Sequence, residues 1–163
     1  MIILGIDPGL ATTGFGVIAY EKNHFQVIQY GVIRTPSQTP LPDRLVKIQE
    51  GIQTLIEKYH PECAAIEELF FNTNAKSAFL VGQARGVAVV TAAAAGLPVY
   101  EYTPLQVKQG VAGYGRADKQ QVQQMVKTLL HLKEIPKPDD AADALAIAMC
   151  HAHTGHFRQL FSV

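Results

Sequence analysis

Four carboxylates occupy positions from which a hydrolytic metal site can be built. Asp7 closes a short apolar run, Ile-Ile-Leu-Gly-Ile, and Glu67 closes another, Cys-Ala-Ala-Ile. Asp140 and Asp143 stand three apart in a stretch of helical period, which puts them on one face at about 5–6 Å between Cβ atoms. If the two runs are neighbouring strands and the helix packs beside them, four anions converge at one edge. Such a group repels itself unless hard cations neutralise it, and oxygen-only ligands select magnesium or manganese. Two such ions about 3.5–4 Å apart activate a water and stabilise a leaving 3′ oxygen, which is the chemistry of phosphodiester hydrolysis. Each acid also has a plainer reading. Asp7 before Pro8-Gly9 suits a turn; Glu67 suits a surface strand end. Asp139 or Asp140 suits a helix N-cap, and Asp143 suits a first helical turn, where the dipole favours acids.

The elements that must hold these residues are legible from period and punctuation. Residues 2–6, 13–20 and 25–34 read as strands, the last two joined by the short Lys22-Asn23-His24 connection of a hairpin. Leu41, Leu45, Ile48, Ile52, Leu55, Ile56 and Tyr59 then recur at helical spacing before Pro61. Residues 63–66 form a buried strand that delivers Glu67. Residues 74–95 are helical in period but apolar almost all round after Gln83. A helix without a polar face must be covered on both sides, one by the sheet and the other by a candidate second subunit. A strand over 97–102 and a short helix over 103–109 follow, then a glycine-bearing loop over 110–116. Asp118 with Gln121 starts a capping-box helix running to about Leu132. The final helix begins at Asp139 or Asp140 and ends near His153. Three meandering strands followed by alternating helix and strand give an α/β chain: a mixed five-stranded sheet with helices on both faces, in the order of the RNase H-like fold. The domain is expected over 1–153, with 154–163 a flexible C-terminal tail.

Bulk properties suit one ordinary globular domain. Of 163 residues, 48% are apolar and 17% charged. The longest low-polarity run, 86–99, is broken by Thr91, Gly96 and Pro98 and falls short of the ~20 residues a bilayer helix needs, so no membrane partner is expected. There is no basic n-region at the start, and Cys63 and Cys150 sit in apolar segments as buried thiols do, which fits a cytoplasmic protein. Net charge is zero, but residues 71–137 carry eight Lys or Arg against three acids. A basic surface around an acidic pocket suits a nuclease; a solvated, salt-bridged surface would look the same.

The blocks around the acids are more specific than the acids. Asp7-Pro8-Gly9 with Thr13-Gly14, Ala65-Ile66-Glu67-Glu68-Leu69-Phe70, Gly82-Gln83-Ala84-Arg85-Gly86, Gln106-Val107-Lys108, Lys119-Gln120-Gln121-Val122 and Asp140-Ala141-Ala142-Asp143-Ala144-Leu145-Ala146 occur in that order. Together they resemble the RuvC family of Holliday-junction resolvases, from Met1 to about His153. The resemblance implies a homodimeric endodeoxyribonuclease that resolves four-way recombination junctions by paired symmetric nicks, leaving ligatable 5′-phosphate ends. It also implies work alongside a branch-migration complex of the RuvA and RuvB type. By the same resemblance, Asp7, Glu67, Asp140 and Asp143 are the metal-binding carboxylates, for two Mg2+ with Mn2+ as a substitute. Lys108 and Lys119 then assist at the DNA backbone and active site, and Phe70 stacks on a base near the junction centre.

Those roles agree with the residue types. Lys119 follows a glycine-bearing loop, from which a flexible point charge reaches a phosphate. Phe70 and Phe71 precede polar Asn72-Thr73-Asn74, so one can be core and the other a wedge that unstacks a base pair. Lys76, Arg85 and Arg116 complete the expected DNA-contacting cations, with solvated surface charge as the plain alternative. The residues alone leave Glu67 against Glu68, and Asp139 against Asp140, open. His151, His153 and His156 do not make a zinc site, because residues two apart on a helix face apart and no other ligands complete the set.

Three other functions compete. Actin-like ATPases and sugar kinases open with a similar Ile-Asp-x-Gly strand, but they need two such domains. A non-catalytic protein that recognises branched DNA by shape would have no use for an intact quartet. Another RNase H-like nuclease, acting on hybrids or in transposition, is the main competitor; the apolar helix favours a dimer, which matches a two-fold substrate better.

Overall fold

The computed structural model describes residues 1–68 and 74–159. Five strands and five helices follow one another among these residues: β1 (Ile2–Asp7), β2 (Thr12–Glu21), β3 (His24–Arg34), α1 (Leu41–Tyr59), β4 (Cys63–Glu67), α2 (Ala75–Ala94), β5 (Val99–Tyr102), α3 (Pro104–Ala112), α4 (Lys119–Leu129) and α5 (Asp139–Gln159). The sheet order is β3-β2-β1-β4-β5, antiparallel across the first three strands and parallel from β1 through β4 to β5. This is the mixed sheet expected from the sequence. Lys22 and Asn23 both have positive φ, 49° and 65°. That is the backbone a two-residue hairpin needs to follow the strand twist.

Alternation along the strands builds two cores. Leu4, Ile6, Val17 and Ile66 pack with Ile48, Ile52 and Leu55 of α1 and Ala84 and Ala88 of α2. On the other face, Ile3, Ile18, Cys63 and Ala65 pack against α3, α4 and above all α5. Leu145, Ile147 and Met149 of α5 are fully buried there, each contributing about 1.5–3 kcal/mol relative to exposure.

The backbone of α5 lies almost on the sheet, because the strands under it carry glycine. A Cβ on Gly5 would stand 2.9 Å from the Ala148 Cβ, and one on Gly16 would stand 2.7 Å from Leu145 Cδ2. Small residues on α5 and missing side chains on β1 and β2 make one close interface.

Several helix ends differ from the sequence reading. α3 continues to Ala112 rather than stopping at Gln109; Gly113, at φ 87°, supplies the left-handed C-cap. α4 closes at Leu129, three residues short of Leu132. The final helix does not give way to a tail at Thr154 but runs on to Gln159. Thr154 Oγ1 donates back to the Cys150 carbonyl at 2.7 Å, and a Cβ on Gly155 would stand 3.1 Å from the His151 ring. Neither Asp139 nor Asp140 is an N-cap: both lie in the first turn.

By length and composition alone, α2 is apolar enough to cross a membrane, although no such stretch was expected. One side of it belongs to the core through Ala84 and Ala88; on the other, Phe79 is 67% and Val90 57% exposed.

Candidate active site

The sheet delivers the first two acids. Ile6 pairs with Ile66 in the parallel β1–β4 ladder, so Asp7 and Glu67 leave the two central strands side by side at their carboxyl ends. Parity sets their face. Asp7 follows Ile3, and Glu67 follows Cys63 and Ala65, to the α5 side of the sheet. Glu68 has the opposite parity, and its N–H donates to the Tyr102 carbonyl at 2.8 Å.

The turn after Asp7 is pinned from beneath. Thr13 Oγ1 donates to the Gly9 carbonyl at 2.6 Å, and Thr35 Oγ1 donates to the Leu10 carbonyl at 2.5 Å. Arg44 Nε in turn donates to Thr35 Oγ1 at 2.9 Å. Thr13 lies in a motif block visible in the sequence. Thr35 and Arg44 carried no signal, since only the fold brings α1 and the end of β3 under this turn.

The other two acids come from the first turn of α5, which reaches the strands over Gly14. A Cβ there would overlap the Asp140 carbonyl oxygen and stand 3.0 Å from Asp140 Cβ. Gly14 is also the partner of Asp7 across the β1–β2 ladder. The same close approach therefore fixes both acids. Asp7, Asp140 and Asp143 each present one ligand atom, and the three atoms lie within 4.8 Å of one another. Glu67 is outside that triplet but shares a cleft of about 230 Å³ with Asp143, Lys108 and Lys119.

Charge repulsion is written into the acidities. The Asp7 carboxyl is pushed up to about 8, first by burial, then by Asp143, Glu67 and Asp140. Glu67 is raised by burial and by Asp143, against a lowering from Lys108; Asp143 is raised by burial, against a lowering from Lys119. Anions this close and this poorly solvated fit a divalent cation, and the all-oxygen donor set fits magnesium or manganese.

A pH dependence follows. The folded chain holds the Asp7 proton more tightly than the unfolded chain does, so it binds more protons between pH 3.8 and about 8. Stability of the metal-free protein must then fall as pH rises through that window. The expected result is a Tm that drops by several degrees across the window in chelator, and a much flatter profile with saturating magnesium. Parallel profiles with and without magnesium would contradict it.

Asp139, the alternative to Asp140, faces elsewhere: its carboxylate pairs with Lys119 Nζ at 2.9 Å and accepts from Gln123 Nε2 at 3.2 Å. These contacts hold its pKa below the usual carboxylate range, and the same bond raises that of Lys119. Lys119 opens α4 beside the Asp118–Gln121 capping box, which forms as the sequence indicated. Lys76 and Arg116 are exposed, on the first turn of α2 and on the α3–α4 loop. Arg85 is engaged within the fold. Its guanidinium pairs with Glu101, and its Nε donates to the Glu67 carbonyl at 3.5 Å. Phe70 and Phe71 lie outside the described residues.

Two of the histidines on α5 have structural partners. His151 Nδ1 shares a hydrogen bond with Tyr102 Oη at 2.5 Å, and His153 Nδ1 donates to the Gly110 carbonyl at 2.6 Å. Burial pushes the Cys63 thiol up to about 12, which makes it inert as a nucleophile.

Comparison with known proteins agrees with this geometry. A family model described as crossover junction endodeoxyribonuclease RuvC matches residues 3–151. Proteins of the same description from Alkaliphilus oremlandii and Alkaliphilus metalliredigens are 63% and 60% identical over 163 residues, covering all of this chain and 99% of each relative. Among solved structures, Thermus thermophilus RuvC in complex with Holliday junction substrate superposes with a TM-score of 0.92 at 40% identity, over 97% of this chain and 96% of that one. The yeast mitochondrial Holliday junction resolvase Ydc2 shares the fold, with a TM-score of 0.69 at 13% identity over 97% of this chain and 82% of its own.

Proposed function

Because the chain belongs to the RuvC family of crossover junction endodeoxyribonucleases, we propose that it resolves four-way DNA junctions by metal-dependent hydrolysis at Asp7, Glu67, Asp140 and Asp143. The observation that carries this reading is the convergence of Asp7, Asp140 and Asp143 within 4.8 Å, with Glu67 and two lysines in the adjoining cleft. The junction-bound Thermus thermophilus relative supports the substrate.

The four carboxylates would hold two magnesium ions, with manganese as a substitute. When bound, such ions lower the pKa of an attacking water and neutralise charge on the scissile phosphate and leaving 3′ oxygen. Water oxygen bonds to phosphorus as the P–O3′ bond breaks, leaving a 5′-phosphate and a 3′-hydroxyl. Asp7 would have to give up its proton to hold such an ion, so metal affinity is expected to rise with pH toward about 8. Lys119 and Lys108 hold the phosphate over the acids, and Lys119 exchanges Asp139 for a phosphate oxygen as DNA arrives. Lys76 and Arg116 extend the cationic track. Phe70 stacks on a base near the branch point, by the family resemblance.

A four-way junction has two-fold symmetry, and its resolution takes two cuts. The exposed stripe of Phe79, Gly86 and Val90 on α2 supplies a face for a second copy. Replacing Val90 by Glu buries an unpaired charge there, so the expected product is a folded monomer that no longer makes paired nicks, with Kd for self-association raised at least about 100-fold. Sedimentation and strand mapping check this; an unchanged dimer would remove α2 as the interface. The reading also places the protein in the cytoplasm, beside a RuvA and RuvB type branch-migration complex.

The test is cleavage of a synthetic four-way junction against linear duplex of the same arms, in magnesium or chelator. Junction-selective, magnesium-dependent cutting is expected. Equal cutting of both substrates would favour a general RNase H-like nuclease, and cutting in chelator would remove the metal.

A further inference from the structure

We propose that Arg85 is a positioning residue for the metal-binding Glu67, rather than one of the cations that meet DNA. Its side chain is 21% exposed and crosses from α2 over the carboxyl ends of β4 and β5. There the guanidinium pairs with Glu101 of β5, and Nε donates to the Glu67 backbone carbonyl at 3.5 Å. Glu101 lies opposite Ile66 in the parallel ladder. Ile66 belongs to the core under α1 and α2, so Arg85 grips the strand ends from the face opposite the acids.

The Glu67 carbonyl has a particular need for that donor. The Glu68 N–H of the same peptide points to β5, where it meets the Tyr102 carbonyl at 2.8 Å. In a trans peptide the Glu67 carbonyl then points the other way, toward β1. There β1 gives way after Asp7 to Pro8, which has no N–H to offer. The sheet ladder therefore ends at the peptide that carries a catalytic carboxylate, and Arg85 supplies a donor the ladder lacks. A partly buried charge pair also fixes the guanidinium more firmly than an exposed one would. Glu67 sits on the last residue of a five-residue strand, where small backbone rotations swing the side chain most.

The inference rests on Glu67 being a metal ligand, and the experiment separates the two claims. Magnesium affinity is measured by calorimetry on the metal-free protein, and four-way junction affinity is measured in chelator, for Arg85→Met, Arg85→Lys, Glu101→Gln and Glu67→Gln. Outer-shell partners of this kind are worth about 10–100-fold in metal affinity. Arg85→Met is expected to weaken magnesium binding by about that factor and leave junction Kd within about two-fold. Arg85→Lys should recover part of the loss, and Glu101→Gln should shift it the same way by less. Should Arg85→Met fail to fold, Glu101→Gln gives the same division between metal and DNA. Junction affinity falling about ten-fold with magnesium affinity intact would make Arg85 a DNA contact and overturn the proposal, as would no change in either. Normal magnesium binding by Glu67→Gln would instead remove Glu67 from the metal-binding set, and the proposal with it.

Discussion

Asp7→Asn is expected to lower strand cleavage by at least about 10³-fold, equivalent to ~4 kcal/mol of transition-state stabilisation, while junction affinity in chelator holds or tightens. The two effects have one cause. Asp7 stands where burial and three other acids converge on it, and its carboxyl is already pushed up to about 8. The amide keeps the shape but removes an anionic ligand, so the site loses affinity for divalent cations. It also removes repulsion, both within the site and against incoming phosphates. The metal-free variant should for that reason be more stable than wild type near pH 8, on the order of a few kcal/mol from the size of the shift. Single-turnover cleavage, junction titration and thermal melts read the three effects separately. Loss of junction binding together with cleavage would make Asp7 part of the DNA-binding surface and count against the assignment.

Gly14→Ala is the second large effect, and nothing about Gly14 itself is chemical. The new methyl group would overlap the backbone carbonyl of Asp140. A carbonyl in the first turn of a buried helix cannot rotate aside as a side-chain end can. The turn must lift, and Asp140 and Asp143 lift with it. Displacement by about an ångström costs about 10²-fold in rate, and overpacking costs about 1–3 kcal/mol of stability. The expected variant is folded, less stable by that amount, and slow at every magnesium concentration. If kcat stayed at the wild-type value, the seating of α5 on β2 would not be what places these acids.

Sequence carried the quartet but not its surroundings. The residues alone leave Glu67 and Glu68 open, and the family resemblance picks Glu67; once the sheet face that carries α5 is known, parity separates them as well. Asp139 and Asp140 both looked like caps. With the helix starting at Asp139, the two point about 100° apart. Asp140 shares a face with Asp143, whereas Asp139 turns toward Lys119 and Gln123 of α4. The Arg85 ion pair had no signal in the sequence, because a lone cation looks the same whether it faces DNA or a carboxylate. Its partner, Glu101, is 16 residues away on β5, and only the packing of α2 against the sheet brings the two together. The glycines of β1 and β2 have no polarity or period to reveal them. Their importance depends on where a helix more than 100 residues later in the chain comes to rest, as the Gly14–Asp140 approach shows. By contrast, the Asp118–Gln121 box and the hairpin at Lys22-Asn23 are local devices, and local sequence was sufficient for both.

Mixed dimers on a four-way junction test the central claim most directly. One copy carries Asp7→Asn, the other is wild type, and both strands are mapped after magnesium is added. If each copy cuts one strand with its own four acids, the wild-type dimer gives two symmetric nicks. The mixed dimer should give one, and the doubly substituted dimer none. Two nicks from the mixed dimer, or any from the doubly substituted one, would show that the chemistry does not depend on Asp7 of the copy that cuts.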